Sequence, residues 1–375
     1  MDDVVIAGGG PAGAMAAIIL ARAGLRVRLF DRERFPRPKL CGDTLNPGGC
    51  RTLAEHVPLD TLLSHARPID GMLLTGPYGV RVRGRYGRGV CGHAIDRCTL
   101  DAWLLDRAIA SGAQVEQEST VDEVIVKSGR VAGVRVRARG ATRTHDARFV
   151  IAADGRHSRV AFALGLARHP ARPRRWAIGA YFHGVEQLSA CGEMHVRRGH
   201  YIGVAPLAGG IANACLVVPH ATGEAWRDAR AKLLTALAAD PELASRFARA
   251  QMIDAPTVLG PMAVDAGVPG APGLLLAGDA AGFIDPMTGD GLTFALRGSV
   301  LAAHVALDAL QGRVSLECAP ERLREQRHRA FVTKWRFNRT LRRLVASPQS
   351  VSAAAAAARI FPRAFSTMIR YAGDV

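Results

Sequence analysis

The sequence predicts an α/β protein: a doubly wound parallel-sheet domain, an inserted and mainly antiparallel β-sheet, and a helical C-terminus. Three observations predict it. Short continuous apolar runs end in glycine turns or Asp-Gly and Gly-Asp pairs at residues 4–7, 149–153 and 274–277, as buried parallel strands do. Short β-type runs broken by Gly, Asn and Pro fill 176–218, which reads as antiparallel strands with tight turns. Leu323, Phe331, Trp335, Leu341 and Leu344 recur near helical spacing in 320–345. The length of 375 residues and the 49% apolar content suit two or three domains with a large core.

The first strand, 4–7, runs at once into Gly8-Gly9-Gly10-Pro11-Ala12-Gly13. Residues 14–23 then predict a helix, with Pro11 suited to its first turn and Gly24 to its end. Residues 27–30 predict a second buried strand that stops at Asp31. In this G-x-G-x-x-G order, Gly8 makes the tight turn and Gly10 lets the backbone approach a pyrophosphate. Gly13 lets the helix pack on the strand. The helix start offers N–H groups and partial positive charge to phosphates. Asp31 stands 23 positions after Gly8, where a carboxylate accepts ribose hydroxyls, and Arg32 follows it. Strand, turn, helix, strand and acid together predict a bound dinucleotide.

Residues 69–84 and 176–218 predict the inserted sheet. A Gly129 turn between strands 121–127 and 131–137 predicts a β-meander packed on the first sheet, with Val121 a cofactor contact. Arg83, Arg85, Arg88, Arg135, Arg137 and Arg139 alternate along strands, the pattern of a solvated face. Residues 224–239 and 241–250 predict helices. Asp154 closes the 149–153 strand, and Gly278-Asp279 closes 274–277. An acid at the carboxyl end of a parallel strand faces the ligand crevice, so Asp279 suits a polyol such as ribityl. Pro286 to Gly291 then lead into a helix over 292–310. The expected boundaries are 1–68, 90–168 and 265–319 for the cofactor domain, 69–89 and 169–264 for a substrate domain, and 320–375 for C-terminal helices.

G-x-G-x-x-G, then Asp-Gly, then Gly-Asp resembles, in that order, the FAD enzymes of the para-hydroxybenzoate hydroxylase type. The resemblance implies a Rossmann-like domain with FAD as cofactor. It implies Asp279 at the ribityl chain, and Pro286, Gly289, Gly291 and Leu292 beside the isoalloxazine. It implies that Arg97 also contacts FAD, with Asp154 and Gly278 in the cofactor site. No second G-x-G-x-x-G follows a strand, so NADPH or NADH is expected to bind transiently as electron donor.

Within that superfamily, Lys39-Leu40-Cys41-Gly42 resembles a segment of the geranylgeranyl reductases. Ala161 stands where the hydroxylases usually carry an arginine, and Pro286-Met287-Thr288-Gly289-Asp290-Gly291 resembles the reductase pattern. Tyr201 and Pro206 match the reductases' Y-x-W-x-F-P, whereas Gly203 and Ala205 replace its two bulky residues. The resemblance implies FAD-dependent reduction of a C=C bond in a lipophilic or natural-product substrate, with Cys41 and Tyr201 near the reacting carbon. Tyr201 or His93 is the expected proton donor. A monooxygenase using NAD(P)H and O2 on an aromatic or polyketide-like substrate is the alternative. Trp176-Ala177-Ile178-Gly179 lacks the second tryptophan and the Ile-Pro of flavin halogenases.

Lysine and arginine number 49 against 33 acids, a net +16. Residues 320–345 hold nine of these bases against Glu321 and Glu325. The segment predicts a helix that packs its apolar stripe on the core and turns its basic face to solvent, an acyl carrier or an anionic membrane. No nucleic-acid motif accompanies the charge, which leaves a nucleic-acid or membrane binder as a distant third reading. The seven cysteines form no C-x-x-C pair and the histidines show no metal-ligand spacing. No basic leader is present, and no stretch of about 18 residues reads as a membrane span. A cytoplasmic chain, peripheral to the membrane at most, is expected.

Overall fold

A computed structural model of the chain describes residues 1–171, 175–219, 228–283, 287, 289–346 and 348–374. Strand β1 (Asp2–Ala7) leads into helix α1 (Pro11–Arg22), which returns the chain to strand β2 (Val27–Phe30). Two short helices follow, α2 (Pro47–Ala54) and α3 (Asp60–Leu63), and then the longer α4 (Arg97–Ala110). β1 lies between two parallel neighbours, pairing Val4 with Val27 of β2 and with Phe149 of strand Ala141–Ala152. Strand Leu274–Leu276 joins the far side of Ala141–Ala152 in parallel, and Gln114–Glu116 joins β2. The three apolar runs far apart in sequence are thus sheet neighbours.

Period-2 alternation buries both faces of this sheet. Val4, Ile6, Phe149, Ile151 and Leu275 pack under the helices on one side. Val5, Ala7, Val150, Leu274 and Leu276 pack against Val121, Val131, Val134 and Val136 on the other. Those four valines belong to the meander formed by Ser119–Lys127, Arg130–Ala138 and the first half of Ala141–Ala152. Each fully buried Val, Leu or Ile contributes roughly 1.5–3 kcal/mol.

A second sheet runs in the order Gln251–Met252, Arg175–His183, Ala212–Pro219, His200–Pro206, Cys191–Arg197, Gly71–Gly76 and Val80–Arg85. All its pairings are antiparallel except Cys191–Arg197 with Gly71–Gly76. Helix α5 (Arg159–Ala163) lies in the chain between the strands Val80–Arg85 and Arg175–His183 of this sheet. Helices α6 (Ala229–Ala239) and α7 (Ala244–Phe247) cover one face through Leu233, Leu237, Leu243 and Phe247. The helix expected over 241–250 shrinks to α7. Asp240 ends α6, and its carboxylate accepts the Glu242 N–H at 2.9 Å, which favours a turn there. Residues 220–227, where the preceding helix was expected to begin, lie outside the described residues. The arginines on Val80–Arg85 alternate outward as expected, and Arg83 and Arg85 reach Asp70. Such exposed pairs stabilise little.

Helix α8 (Gly291–Leu310) is long and apolar enough by composition to cross a membrane. This corrects the sequence expectation that no stretch qualifies. Its apolarity instead serves the core: Leu292, Leu296, Ala302, Ala303 and Val305 are buried in the cluster that includes α1 and α4. The chain ends in α9 (Ala319–Ala346), α10 (Pro348–Ile360) and α11 (Pro362–Ala372). Leu323 and Phe331 of α9 are buried, as the apolar stripe predicts. Two of its bases with described side chains are not on the solvated face. Arg327 and Lys334 are buried, together with Asn338. Lys334 Nζ binds Asp290 Oδ1 at 3.0 Å, Asp374 Oδ1 at 3.3 Å and the Ala372 carbonyl at 2.7 Å.

The turn between β1 and α1 is the tightest approach in the first sheet. A Cβ on Gly13 would stand 1.8 Å from the Gly8 carbonyl oxygen. Gly8 has φ +99°, and a Cβ there would meet the Ala153 carbonyl oxygen at 2.5 Å. Gly13→Ala should cost at least about 3 kcal/mol, the upper end of overpacking. Urea midpoints of the two proteins measure this; equal midpoints would mean that α1 can move away from β1.

Candidate functional site

The glycine turn opens on a cavity of about 420 Å³ at the carboxyl ends of β1, β2 and Ala141–Ala152. Gly8, Gly10, Asp31, Arg32, Val121 and Asp154 line it. A narrower cavity of about 130 Å³ adjoins it and shares Gly10, Lys39, Leu40, Gly155 and Arg156 as walls. Pro11, Ala12, Cys41, Arg97, Gly278, Asp279, Gly289, Gly291 and Leu292 line this second part. Gly13 lies beneath the turn, against Gly8. Pro286 lies outside the described residues.

Asp31 holds the turn. Its Oδ2 accepts the Gly9 N–H at 2.6 Å, and its Oδ1 accepts the Glu33 N–H at 2.8 Å. Gly10 precedes α1 as its N-cap, and no side chain caps the first-turn N–H groups, so they are free to receive an anion. A Cβ on Gly10 would meet only Arg37 Nη2, at 3.7 Å, which leaves space for a diphosphate. Asp154 Oδ1 is buried without a partner among the described residues, while its Oδ2 accepts the Arg159 N–H at 2.9 Å. These features fit FAD: amides and cations for the diphosphate, orphan carboxylate oxygens for hydroxyls.

The cations crowd each other. Burial, and then the Arg97 charge, lowers Lys39 to about 8. Burial also lowers Arg156. Burial works against the Arg97 charge, but Asp101 more than offsets it. Arg97 grips Asp101 through two 2.7 Å bonds, and Arg37 adds a third contact at 3.1 Å. Arg97 therefore meets a ligand with its guanidinium already fixed.

The Cys41 loop is pinned by the second sheet. Asn213 Nδ2 donates to the Cys41 carbonyl at 2.7 Å and also to Asp43 Oδ2. Tyr181 donates its hydroxyl to Asp43 Oδ2 at 2.8 Å. Asp43 is fully buried with φ +49°, and its Oδ1 has no partner among the described residues. Burial raises Asp43 to about 7, against the lowering effect of Tyr181 and Asn213. Burial also raises the Cys41 thiol, although the Arg97 charge opposes it. Cys41 is thus a protonated thiol at neutral pH.

The expected pairing of Tyr201 with Cys41 is not met. Tyr201 turns into an apolar cluster with Leu40, Met194, Val217 and Met262, and does not line the cavity. Strand alternation sends it there. His93 also lies outside, beside Cys50 at 3.4 Å. Sequence reasoning missed Asp43 and Tyr181, because their partners stand 138 and 170 positions apart and no local pattern marks them. It also missed the role of Asp290, which binds Asn46 at 3.1 Å and Lys334, fixing the loop before α8.

The raised Asp43 carries a stability signature. The folded chain holds this proton more tightly than the unfolded one. The stabilisation is complete below about pH 4 and is lost as pH rises through about 7. Asp43→Asn should flatten the stability–pH curve over this window, read as urea midpoints across the range. An unchanged slope would mean that Asp43 ionises normally.

A family described as FAD binding domain matches residues 1–330. Digeranylgeranylglycerophospholipid reductase 2 of Methanopyrus kandleri is 31% identical over 332 residues, 82% of this chain and 78% of that one. The digeranylgeranylglycerophospholipid reductase of Methanoculleus marisnigri is 30% identical over 315 residues, 81% of this chain and 76% of the relative. Among solved structures, a geranylgeranyl bacteriochlorophyll reductase-like protein of Thermoplasma acidophilum superposes with TM-score 0.80 at 24% identity, covering 93% of this chain and 89% of its own. The myxobacterial chondrochloren halogenase CndH superposes with TM-score 0.82 at 24% identity, covering 90% and 81%. At these identities the structures show a shared fold. Match, cavity and glycine turn agree: the chain belongs to the FAD binding domain family and is an FAD-dependent oxidoreductase resembling the geranylgeranyl reductases.

Proposed function

We propose that the chain reduces a C=C bond of a lipophilic substrate. The observation that carries this reading is Cys41 in the wall of the cavity that Arg97, Gly289 and Gly291 also line, with burial raising its thiol. Leu40, Ala177, Met262 and Phe283 give that cavity apolar walls. Reduced FAD, when bound, supplies the hydride. Cys41 then supplies the proton to the neighbouring carbon, so the alkene gains one hydride and one proton. Asp43, Asn213 and Tyr181 fix the loop that carries the thiol. The glycine turn and α1 bind the diphosphate, and Asp31, Asp154 and Asp279 take hydroxyls.

An apolar cavity of about 140 Å³ lies between the second sheet and the C-terminal helices, with Leu74, Met194, Met287, Leu341 and Met368 in its walls. Met194, Met287 and Leu341 belong to the cluster that also holds Leu40 and Met262 of the Cys41 cavity. An apolar chain would find apolar walls there, and methionines adapt to its shape. The relatives from Methanopyrus and Methanoculleus are named as reductases of a lipid, which supports the same reading. NADPH or NADH serves as a transient donor. On this reading the chain works in the cytoplasm, against the membrane surface that holds such substrates.

Anaerobic reduction with NADH and NADPH, followed by reoxidation with candidate alkenes, tests the proposal. The alkene should reoxidise the enzyme without O2 and gain two hydrogens. Oxygen consumption coupled to a hydroxylated product would establish the monooxygenase alternative instead. Cys41→Ala should lower the reoxidation rate about 10²-fold or more, the usual contribution of a positioned acid, with FAD content unchanged. With the thiol raised by burial, the rate should hold through neutral pH and fall only as the thiol ionises. A rate that rises with pH would exclude Cys41 as the proton donor. Asp279→Ala should yield protein that purifies with less FAD, read from the flavin absorbance.

A further inference from the structure

We propose that a cavity between α9 and the segment after Asp279 binds the phosphate group of a ligand. The cavity has a volume of about 590 Å³. Four arginines line it, Arg324, Arg327, Arg329 and Arg339, against the two carboxylates Asp265 and Glu325. Arg324 is occupied by Glu321, and Arg329 lies 3.7 Å from Glu325. Arg327 and Arg339 have no carboxylate partner among the described residues.

Arg327 is the unusual group. It is only 7% exposed, and its Nη2 donates to the Ala281 carbonyl at 2.9 Å. Its guanidinium lies 5.6 Å from the Phe331 ring centroid and 6.0 Å from that of Trp335. A Cβ on Gly298 of α8 would stand 2.8 Å from Arg327 Nη1, so α8 carries no side chain where the guanidinium rests. Burial alone lowers Arg327, to about 10. A buried cation without a counter-ion costs several kcal/mol. A built niche for it has a physical reason when the anion arrives with a ligand. Arginine is the side chain suited to phosphate, through its planar fork of donors.

Phe283 is a wall of this cavity and also of the Cys41 cavity. A phosphate seated at Arg327 and Arg339 is therefore one ring away from the reaction cavity. The phosphate belongs either to the lipophilic substrate or to the nicotinamide donor. The first source rests on the proposed reductase reading; the site itself does not.

Calorimetric titration of the FAD-loaded full chain with inorganic pyrophosphate tests the site, because the filled FAD cavity takes no part. Arg339→Gln, an exposed position, should weaken binding about tenfold or more. Arg327→Gln should do the same, and Arg327→Lys should restore part of it. If Arg327→Gln loses FAD, Arg339→Gln alone decides. Absence of pyrophosphate binding, or an affinity unchanged in Arg339→Gln, overturns the proposal. Two paired titrations assign the source: a long-chain alcohol against its phosphate monoester, and NADH against NADPH. The pair whose difference vanishes in Arg339→Gln owns the phosphate. Failure of the reductase reading would leave the pyrophosphate result standing, since no turnover is measured.

Discussion

The close contact between α1 and β1 governs this molecule. With 1.8 Å between the Gly8 carbonyl oxygen and the place of a Gly13 Cβ, the helix start can sit only on a bare backbone. That approach aims the free N–H groups of α1 at the carboxyl ends of the strands. Asp31 then closes the turn through Gly9. The neighbouring strands bring Asp154 and Asp279 to the same edge. Moving α1 by the width of a methyl group would displace its free N–H groups and the α8 packing together, since Ser299 of α8 donates to the Ala12 carbonyl.

The second sheet acts on the cofactor cavity through few contacts. Asn213 and Tyr181 reach across to Asp43 and the Cys41 carbonyl. Buried polar groups joined this way fix one geometry, because any slip leaves a polar atom unsatisfied. The C-terminal helices act similarly through Lys334 and Asp290. Asp290 also takes Asn46 at the start of α2. The loop beside the expected flavin ring is thereby tied to two distant segments, the start of α2 and α9. The basic charge that first suggests a solvated or lipid-facing helix has a partly internal use.

Much of the fold was legible. Apolar runs ending in Gly or Asp marked the parallel strands, since a strand buried on both faces must be apolar throughout. The Gly129 turn marked the meander, with the glycine at φ +75°. Less legible was the fate of single polar residues. Arg327 and Lys334 sit in a run of exposed bases, and helical spacing alone does not say which of them turns inward. Tyr201 matched a motif, but its strand faces an apolar cluster instead of the cavity.

The sequence by itself determined the glycine turn and its acid, because a helix start packed on a bare strand edge demands glycines at fixed local spacing. It also determined that Cys41 follows the first βαβ unit on a short loop. Only the tertiary structure decided what surrounds that cysteine. Asp43, Tyr181 and Asn213 meet through packing of two sheets, and Arg327 meets Gly298 through packing of α8 on α9. Such meetings depend on which faces are buried against which. That is a global outcome of burying apolar area, and no local periodicity encodes it.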